Sequence, residues 1–311
     1  MEEINEQKYR LVTRSNFDGI INAALLLKLD LVDEMLYVHP KEVQDGNVKI
    51  DENDIVTNLP YVKDAYMAFD HKLDMDDEIK INANHAIFTD AKSVSEIIYE
   101  YNGGEEVFGE KFLPMIEAAN KSKSASFTKE EILAPSGWDF LIFLTDPRTG
   151  LGRFRDFRIS NYDLMKKLPK LCLEKDIDSV LEDEDVKERI DVYNQYHQKF
   201  IDQLKRCTTI NGDIAIVDFR NEDIIYPGNR FVIYALFPEI SGTIYIFSGK
   251  DDKNTVFALG KSIFNKTNVN NIYEIVNKYQ GGGHADAGTC QVEHQRVDEV
   301  LEELVKNFKT K

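Results

Sequence analysis

Hydrophobic positions in the first half of the chain form short runs separated by longer segments with helical spacing. Short apolar runs bounded by polar turns indicate buried strands, and apolar residues every three to four positions indicate helices. The predicted strands are Tyr9 to Thr13, Met35 to His39, Asp54 to Thr57, Ala65 to Phe69 and Ala86 to Phe88. The predicted helices are Gly19 to Leu29, Val94 to Tyr101, Lys111 to Lys121 and Trp138 to Thr145. Because strands alternate with helices, we expect a mainly parallel α/β sheet covered on both faces.

The pattern changes after residue 175. Residues 176–206 are highly charged with helical spacing, which indicates a helical connector. Beyond it, β-like runs occur at Asp213 to Phe219, Phe231 to Phe237, Thr243 to Ser248 and Thr255 to Leu259, and helical spacing occurs at Ile272 to Tyr279 and Val297 to Phe308. We therefore predict an α/β domain (1–175), a connector (176–206) and a smaller α+β domain (207–311), with a ligand cleft between the two domains.

Polar side chains follow several of the predicted parallel strands. Asn16 and Asp18 follow the first strand, Asn58 follows the third, and Asp70 and His71 follow the fourth. The carboxyl ends of neighbouring parallel strands meet at one edge of a sheet, where ligands of open α/β sheets bind. The sequence therefore predicts a site at this edge.

A glycine-rich segment near the C-terminus reads Gly281, Gly282, Gly283, His284 between a predicted helix and a predicted strand. Glycine permits positive φ angles and close backbone approach, so such a turn can present N–H groups to an anion. The alternative is a helix C-cap followed by a tight turn. One glycine would suffice for that cap, and the run of three with a histidine favours a site.

Four arginines and no lysines occupy the eleven residues from Arg148 to Arg158. They are Arg148, Arg153, Arg155 and Arg158. Pro147, Gly150 and Gly152 interrupt regular structure, so this segment is predicted to be a loop. Guanidinium groups make bidentate contacts with phosphate oxygens, which favours an anion site. Pairing with the protein's own carboxylates is the alternative.

Composition narrows the class of ligand. The formal net charge of −17 repels nucleic acid at long range, which disfavours a nucleic-acid exonuclease, and any anionic ligand needs a local positive cluster. The three cysteines have no zinc or disulfide spacing, no apolar run could span a membrane, and the first residues do not resemble a signal peptide. We expect a cytoplasmic protein with no membrane contact. A homo-oligomer is left open.

Four ordered motifs resemble the DHH phosphoesterase superfamily, closest to its exopolyphosphatase-related branch. They are Asn16-Phe17-Asp18-Gly19, Thr57-Asn58-Leu59-Pro60, Asp70-His71-Lys72 and the Gly281–His284 segment, in the family's order over nearly the whole chain. The branch also carries a stretch like 148–161. The resemblance implies an N-terminal DHH-like domain and a DHH-associated C-terminal domain whose glycine–histidine loop contacts substrate phosphate.

The resemblance also implies two Mn²⁺ or Mg²⁺ ions that activate water for phosphoester hydrolysis. This chain departs from that pattern at four ligand positions. They are Asn16, Asn58, Lys72 and Lys123, the last with Asn120 nearby. Asp18, Asp70 and His71 remain as a degenerate catalytic set.

So few carboxylates would leave the positive charge of two adjacent divalent ions uncompensated. Each uncompensated charge costs several kcal/mol, roughly 4 kcal/mol at ~4 Å for an effective dielectric constant near 20. We therefore expect no resident cofactor, or a single Mn or Mg ion held weakly by Asp18 and His71. A lysine ammonium in the metal space is the other option.

Three functions follow. The first-ranked is a homologue that binds a phosphate-rich small molecule, such as polyphosphate or a nucleotide, with hydrolysis lost or much reduced. The alternative is an active metal-dependent phosphoesterase or exopolyphosphatase using the reduced site. The third is a scaffold on an old enzyme fold. Whether the chain is an enzyme is left open.

Overall fold

The computed structural model describes residues 7–70, 84–87 and 90–310. Contacts within the chain divide it into two units. The first comprises Met1–Ser126 and Ala134–Val192, and the second comprises Phe127–Leu133 and Tyr193–Lys311. The boundary near residue 192 lies inside a long charged helix. The predicted three-part division at residues 175 and 206 stays a prediction.

The first unit contains a five-stranded parallel sheet. Its strands are β1 (Tyr9–Arg14), β2 (Val32–Val38), β3 (Asp54–Thr57), β4 (Met67–Asp70) and β5 (His85–Ile87). The spatial order is β2-β1-β3-β4-β5, and every neighbouring pair is parallel. The predicted α/β class with a mainly parallel sheet is confirmed. β2 begins earlier than predicted, because its exposed Asp33 and Glu34 lie on an edge strand where polar residues face solvent.

The first unit also contains eight helices among its described residues. They are α1 (Phe17–Lys28), α2 (Pro40–Gln44), α3 (Val94–Tyr101), α4 (Gly104–Phe108), α5 (Leu113–Ser124), α7 (Gly137–Thr145), α8 (Asn161–Glu174) and α9 (Ile177–Leu181). The helix α6 (Lys129–Leu133) belongs to the second unit. α1 is almost wholly buried, since Ile20, Ile21, Leu25 and Leu26 have no exposed surface. α10 (Glu184–Cys207) follows and passes from the first unit into the second.

The second unit contains a six-stranded mixed sheet in the order β10-β11-β9-β8-β7-β6. Its further elements are β6 (Thr208–Asn211), β7 (Ile214–Asp218), α11 (Val232–Leu236), β8 (Gly242–Ser248), β9 (Thr255–Lys261), α12 (Ile272–Asn277), β10 (Gly282–His284), β11 (Ala287–Val292) and α13 (Val297–Phe308). One face packs against α12 and α13 through residues such as Ile244, Ile246 and Phe257. The bounds predicted for the last helix are confirmed.

Two parts of this unit differ from the sequence prediction. The run Phe231 to Phe237 is predicted as a strand but forms α11, because a short buried apolar run has no period that separates strand from helix. Asn229 starts that turn by accepting a hydrogen bond from the Phe231 N–H at 2.9 Å. The exposed edge strand β6 lies where the sequence predicts none. Of the described part of the chain, no helix is long and apolar enough to cross a membrane.

Candidate functional site

The topology of the first sheet brings three predicted site positions to one edge. Asn16 lies just beyond β1, Asn58 directly follows β3, and Asp70 is the last residue of β4. These strands are parallel neighbours, so their carboxyl ends meet. The strand order also reverses between β1 and β3, the place where ligands of doubly wound sheets bind. His71 and Lys72 lie outside the described residues.

Asn16 has a structural role at this edge. It is the N-cap of α1, and its side-chain oxygen accepts a hydrogen bond from the Gly19 N–H at 2.9 Å. Gly19 itself lies so close to β1 that an added Cβ would stand 2.2 Å from the carbonyl oxygen of Arg14. The segment between β1 and α1 is therefore a tight turn in which both residues are required by the backbone.

Asp18 is buried, with 3% of its surface exposed, and it binds the start of α3. One carboxylate oxygen accepts from the Ser95 N–H at 3.1 Å and the Ser95 hydroxyl at 2.5 Å, and the other accepts from the Val94 N–H at 3.3 Å. A carboxylate at a helix N-terminus satisfies unpaired N–H groups and interacts favourably with the helix dipole. Asp18 thus fixes α3 against α1.

A buried network of polar side chains extends from Asp18 to the sheet. Asn22 lies 2.8 Å from the Ser95 hydroxyl and donates to Thr57 at 3.1 Å, and Thr57 donates to Thr13 at 2.7 Å. Thr13, Asn22, Thr57 and Ser95 have no exposed surface. Since each link joins residues far apart in sequence, no local pattern indicates this network.

Asn120 and Lys123 occupy different environments on α5. Asn120 accepts from the Ser93 hydroxyl at 2.6 Å and donates to Glu96 at 3.0 Å, so it contacts the same helix N-terminus as Asp18. Lys123 lies on the last turn of α5 with an exposed side chain. The structure therefore brings Asn120 to the end of α3 that Asp18 binds.

Two further side chains near this edge have buried nitrogen atoms without a hydrogen-bond partner among the described residues. Asn58 has a positive φ of 58°, and its buried Nδ2 has no hydrogen-bond partner among the described residues. His85 on β5 is 6% exposed and stacks on Tyr61 with ring centroids 4.3 Å apart. Burial lowers the pKa of His85, and the charge of Asp70 opposes that shift. Its stacking and burial make His85 a packing residue.

The described residues alone do not make up the two-metal centre that the resemblance implies, and His71 and Lys72 lie outside them. Within 7–70, 84–87 and 90–310, no group of three or more His, Cys, Asp or Glu side chains could hold an ion. Asp18 directs its carboxylate at three donors of α3, and Asn16 and Asn58 offer amides where hard divalent ions prefer carboxylates. The single weak site predicted at Asp18 and His71 stays a prediction, because His71 lies outside the described residues.

Two of the four loop arginines pair with carboxylates of the protein. Arg148 binds Asp146 through two bonds of 2.7 Å. Arg158 pairs with Glu184 on α10, and its backbone N–H donates to Glu188 at 3.0 Å. Arg148 and Arg158 therefore follow the alternative interpretation of the sequence, in which loop arginines pair with the protein's own carboxylates.

The other loop arginines differ. Arg153 donates to the Gly150 carbonyl at 3.2 Å, and burial lowers the pKa of its guanidinium. Arg155 is exposed, and no ion pair of it is found among the described residues. Arg189, which no sequence pattern indicates, anchors the loop: it is 1% exposed, donates to the Ile159 carbonyl at 2.6 Å and lies over the Phe157 ring at 3.9 Å.

Arg14, at the end of β1, is a second residue that no sequence pattern indicates. Burial lowers the pKa of Arg14, the positive charge of Arg148 lowers it further, and Asp146 opposes the shift. Arg14 is exposed and ends β1, so it places a positive charge at the carboxyl edge of the sheet.

The glycine–histidine segment is a hairpin strand rather than the predicted turn. The left-handed residue after α12 is Gln280 with φ of 57°, and the Gly281 N–H closes the helix on the Val276 carbonyl at 3.0 Å. β10 then pairs antiparallel with β11, with His284 opposite Ala287. An added Cβ would stand 2.4 Å from the Thr289 carbonyl at Gly281 and 2.3 Å from the Ala287 carbonyl at Gly283. These two glycines thus allow close approach of the protein's own backbone.

His284 and the edge of β10 have the capacity to bind an anion. β10 is an edge strand, so alternate N–H groups point away from β11. The His284 side chain is exposed, and its Nδ1 accepts from the Asp286 N–H at 3.3 Å. A neutral imidazole that accepts at Nδ1 carries its proton on Nε2, which makes Nε2 a donor.

Comparison with solved structures finds a relative that matches almost the whole chain. The chain is 44% identical to a pGpG-specific phosphodiesterase, PggH, from Vibrio cholerae, covering 96% of this chain and 98% of that one, with a TM-score of 0.86. A scan against protein-family models and a search of curated proteins found no match.

Two distant structures share the fold alone. RecJ with Mn²⁺ from Thermus thermophilus is 10% identical with a TM-score of 0.59, over 97% of this chain and 52% of that one. CDC45 from Entamoeba histolytica is 8% identical with a TM-score of 0.59, over 97% of this chain and 96% of that one.

Proposed function

Because the chain belongs to the DHH phosphoesterase superfamily, we propose that it is a phosphodiesterase that acts on a short linear guanine dinucleotide such as pGpG. The observation that carries the proposal is the 44% identity, over almost the full length of both chains, to a phosphodiesterase specific for pGpG. A nucleotide was one of the two ligand classes expected from the sequence. Polyphosphate and the exopolyphosphatase-related branch stay predictions.

The charge of the chain supports a short substrate. A net charge of −17 repels a long polyanion at distances where only the overall field acts, whereas a dinucleotide carries few phosphates. Local positive groups are then sufficient to bind it. The first unit offers the exposed guanidinium groups of Arg14 and Arg155.

In this proposal the residues of the chain bind and orient the dinucleotide. Guanidinium groups hold phosphate oxygens through forked hydrogen bonds. When a divalent ion is bound, it supplies the activation of water.

Binding without hydrolysis is a second candidate, favoured by the side chains at the carboxyl edge. Asn16 and Asn58 place neutral amides at this edge, and the Asp18 carboxylate accepts three hydrogen bonds from α3. A site of this kind would hold a phosphorylated ligand by its cations alone. Such a protein would act as a sensor or regulatory subunit.

One experiment separates the two candidates. The purified full chain is incubated with pGpG in Mn²⁺, in Mg²⁺ and in EDTA, and products are resolved by anion-exchange chromatography. Phosphodiesterase function predicts conversion of pGpG to GMP that EDTA abolishes. Thermal stabilisation by pGpG that persists in EDTA, without product, supports the binding candidate. If pGpG gives no product and no thermal stabilisation, both candidates are wrong. Cleavage of polyphosphate in preference to pGpG contradicts the proposed substrate.

A further inference from the structure

The sheet of the second unit has one face covered by helices and one face that remains partly exposed. Ile244, Ile246, Phe257 and Leu259 point to the covered face, where they pack with α12 and α13. Residues between them along β8 and β9 point to the opposite face, because side chains alternate along a strand. We call this opposite face the outer face, and define it by Tyr245, Phe247, Val256, Ala258, Gly260, Ala287, Thr289, Gln291 and His284.

The strand register orders these residues into rows. Tyr245 lies opposite Ala258, which lies opposite Thr289, and the next row contains Phe247, Val256 and Gln291. A third row leads from Gly260 through Ala287 to His284. Residues directly opposite each other in antiparallel strands share a face, so His284 of the glycine–histidine segment and the aromatic pair lie on one surface.

Aromatic side chains border this surface on one side. The rings of Tyr245 and Phe247 are nearly parallel, with centroids 5.9 Å apart and an interplanar angle of 5°. Phe219, which is 4% exposed, packs against both. Tyr245 and Phe247 keep part of their surface exposed, and the small, partly exposed Ala258 lies opposite Tyr245, where a flat ring can lie beside Phe247. Gly260, in the third row, lies under the Tyr234 hydroxyl.

The Tyr245 hydroxyl is buried and has no hydrogen-bond partner among the described residues. A buried phenol normally finds a partner, and leaving one unpaired is unfavourable. Burial raises the pKa of Tyr245, the neighbouring Tyr234 raises it further, and the positive charge of Arg230 opposes the shift. The Tyr234 hydroxyl, by contrast, is satisfied by Thr243 at 3.0 Å and the Gly260 carbonyl at 3.1 Å.

We propose that the outer face is a nucleobase platform, on which one guanine of the dinucleotide stacks against Phe247 and accepts a hydrogen bond from the Tyr245 hydroxyl. The inference rests on the proposed function, since it assigns the base-binding part of that ligand. Aromatic stacking suits a purine ring, and exposed Gln291 and Thr289 place polar groups beside it. His284 on the same face can then contact a phosphate of the same ligand.

The test measures affinity of the full chain in EDTA, so that binding is read without hydrolysis. The probes are pGpG and, as a ligand without bases, inorganic pyrophosphate, and titration calorimetry reports both. Phe247→Ala is expected to weaken pGpG binding on the order of tenfold and to leave pyrophosphate binding within about twofold. Phe247→Leu, which keeps apolar volume but removes the aromatic face, is expected to weaken pGpG binding as well.

Tyr245→Phe separates a ligand role from a structural one. It removes only a hydroxyl that has no partner in the described residues, so the melting temperature should stay the same or rise while pGpG binding weakens severalfold. Tyr273→Ala is the matched control, because Tyr273 is an exposed aromatic on α12, which packs on the other face of the sheet. It should leave binding of both probes unchanged.

Three outcomes would contradict the proposal that the outer face binds a nucleobase. If wild-type chain binds pGpG but Phe247→Ala and Tyr245→Phe bind it equally well, the platform is wrong and the proposed function stands. If both probes weaken equally in Phe247→Ala, the face does not bind the base. If wild-type chain neither binds nor cleaves pGpG, the proposed function fails and the platform fails with it.

Discussion

The carboxyl edge of the first sheet and the outer face of the second sheet differ in what their polar and aromatic side chains do. At the carboxyl edge, Asn16 caps α1 and Asp18 binds the start of α3, so both motif residues are already engaged by the protein. On the outer face, Phe247 and Tyr245 keep exposed surface, and the Tyr245 hydroxyl has no partner among the described residues. A residue that matches a catalytic motif can thus stabilise the fold, while residues without a motif remain available for a ligand.

The largest expected effect is on the stability of the fold. Asp18→Ala should lower the free energy of unfolding by about 2–4 kcal/mol, because it leaves the buried donors of Val94 and Ser95 unsatisfied. Urea denaturation followed by circular dichroism measures this. Glu117→Ala, an exposed helical carboxylate, is the control and should change stability by less than about 0.5 kcal/mol. Loss of ligand binding with unchanged stability would instead make Asp18 a ligand contact.

The glycines of the hairpin offer the next test. Gly281→Ala and Gly283→Ala should each destabilise by about 1–3 kcal/mol, because the new methyl group meets backbone oxygens at 2.4 Å and 2.3 Å. Gly282→Ala is the internal control, since no atom lies within 4 Å of an added Cβ there. Thermal unfolding of the three variants should separate Gly282→Ala from the other two. Equal destabilisation of all three would mean that the hairpin geometry is not what requires glycine.

A smaller effect on stability is expected from a change of pH. Burial lowers the pKa of His85 in the first unit and of His197 in the second. As pH falls below about 6.5, the unfolded chain binds protons that these folded imidazoles resist, so the stability that the two histidines contribute is fully present above that pH and is lost below it. The slope is at most about 1.4 kcal/mol per pH unit for each histidine.

Denaturation at three pH values, one above, one near and one below the ordinary histidine pKa, measures that slope. His85→Phe and His197→Phe retain the ring stacking with Tyr61 and Tyr193 and should each reduce it. An unchanged slope in both variants would assign the pH dependence to other groups.

The smallest effect distinguishes two arginines of one loop. Arg155→Ala should weaken pGpG binding about three- to tenfold, because an exposed guanidinium with no ion pair among the described residues can serve a phosphate. Arg158→Ala should change pGpG affinity by less than about twofold, and its stability by less than about 1 kcal/mol, since Arg158 is paired at the surface with Glu184. Titration calorimetry in EDTA compares them. The reverse order of effects would place the phosphate at Arg158.

Local patterns were sufficient for most elements and for the family. The alternation of apolar runs predicted the parallel sheet, and the amphipathic spacing of Val297–Phe308 predicted the last helix, because each depends on neighbours within a few residues. The order of the four motifs was enough to identify the DHH superfamily. Local pattern was insufficient at Phe231 to Phe237, where a buried apolar run fits either helix or strand.

The roles of the individual site residues were decided by tertiary structure. Asp18 meets Ser95, 77 positions along the chain, and Arg189 meets Ile159, 30 positions away, so neither contact leaves a periodic signal in the sequence. The sequence by itself determined which residues are polar at the end of each strand. Only packing decided which of them hydrogen-bond within the protein, because a buried polar group must be satisfied by whatever donor or acceptor the fold brings beside it.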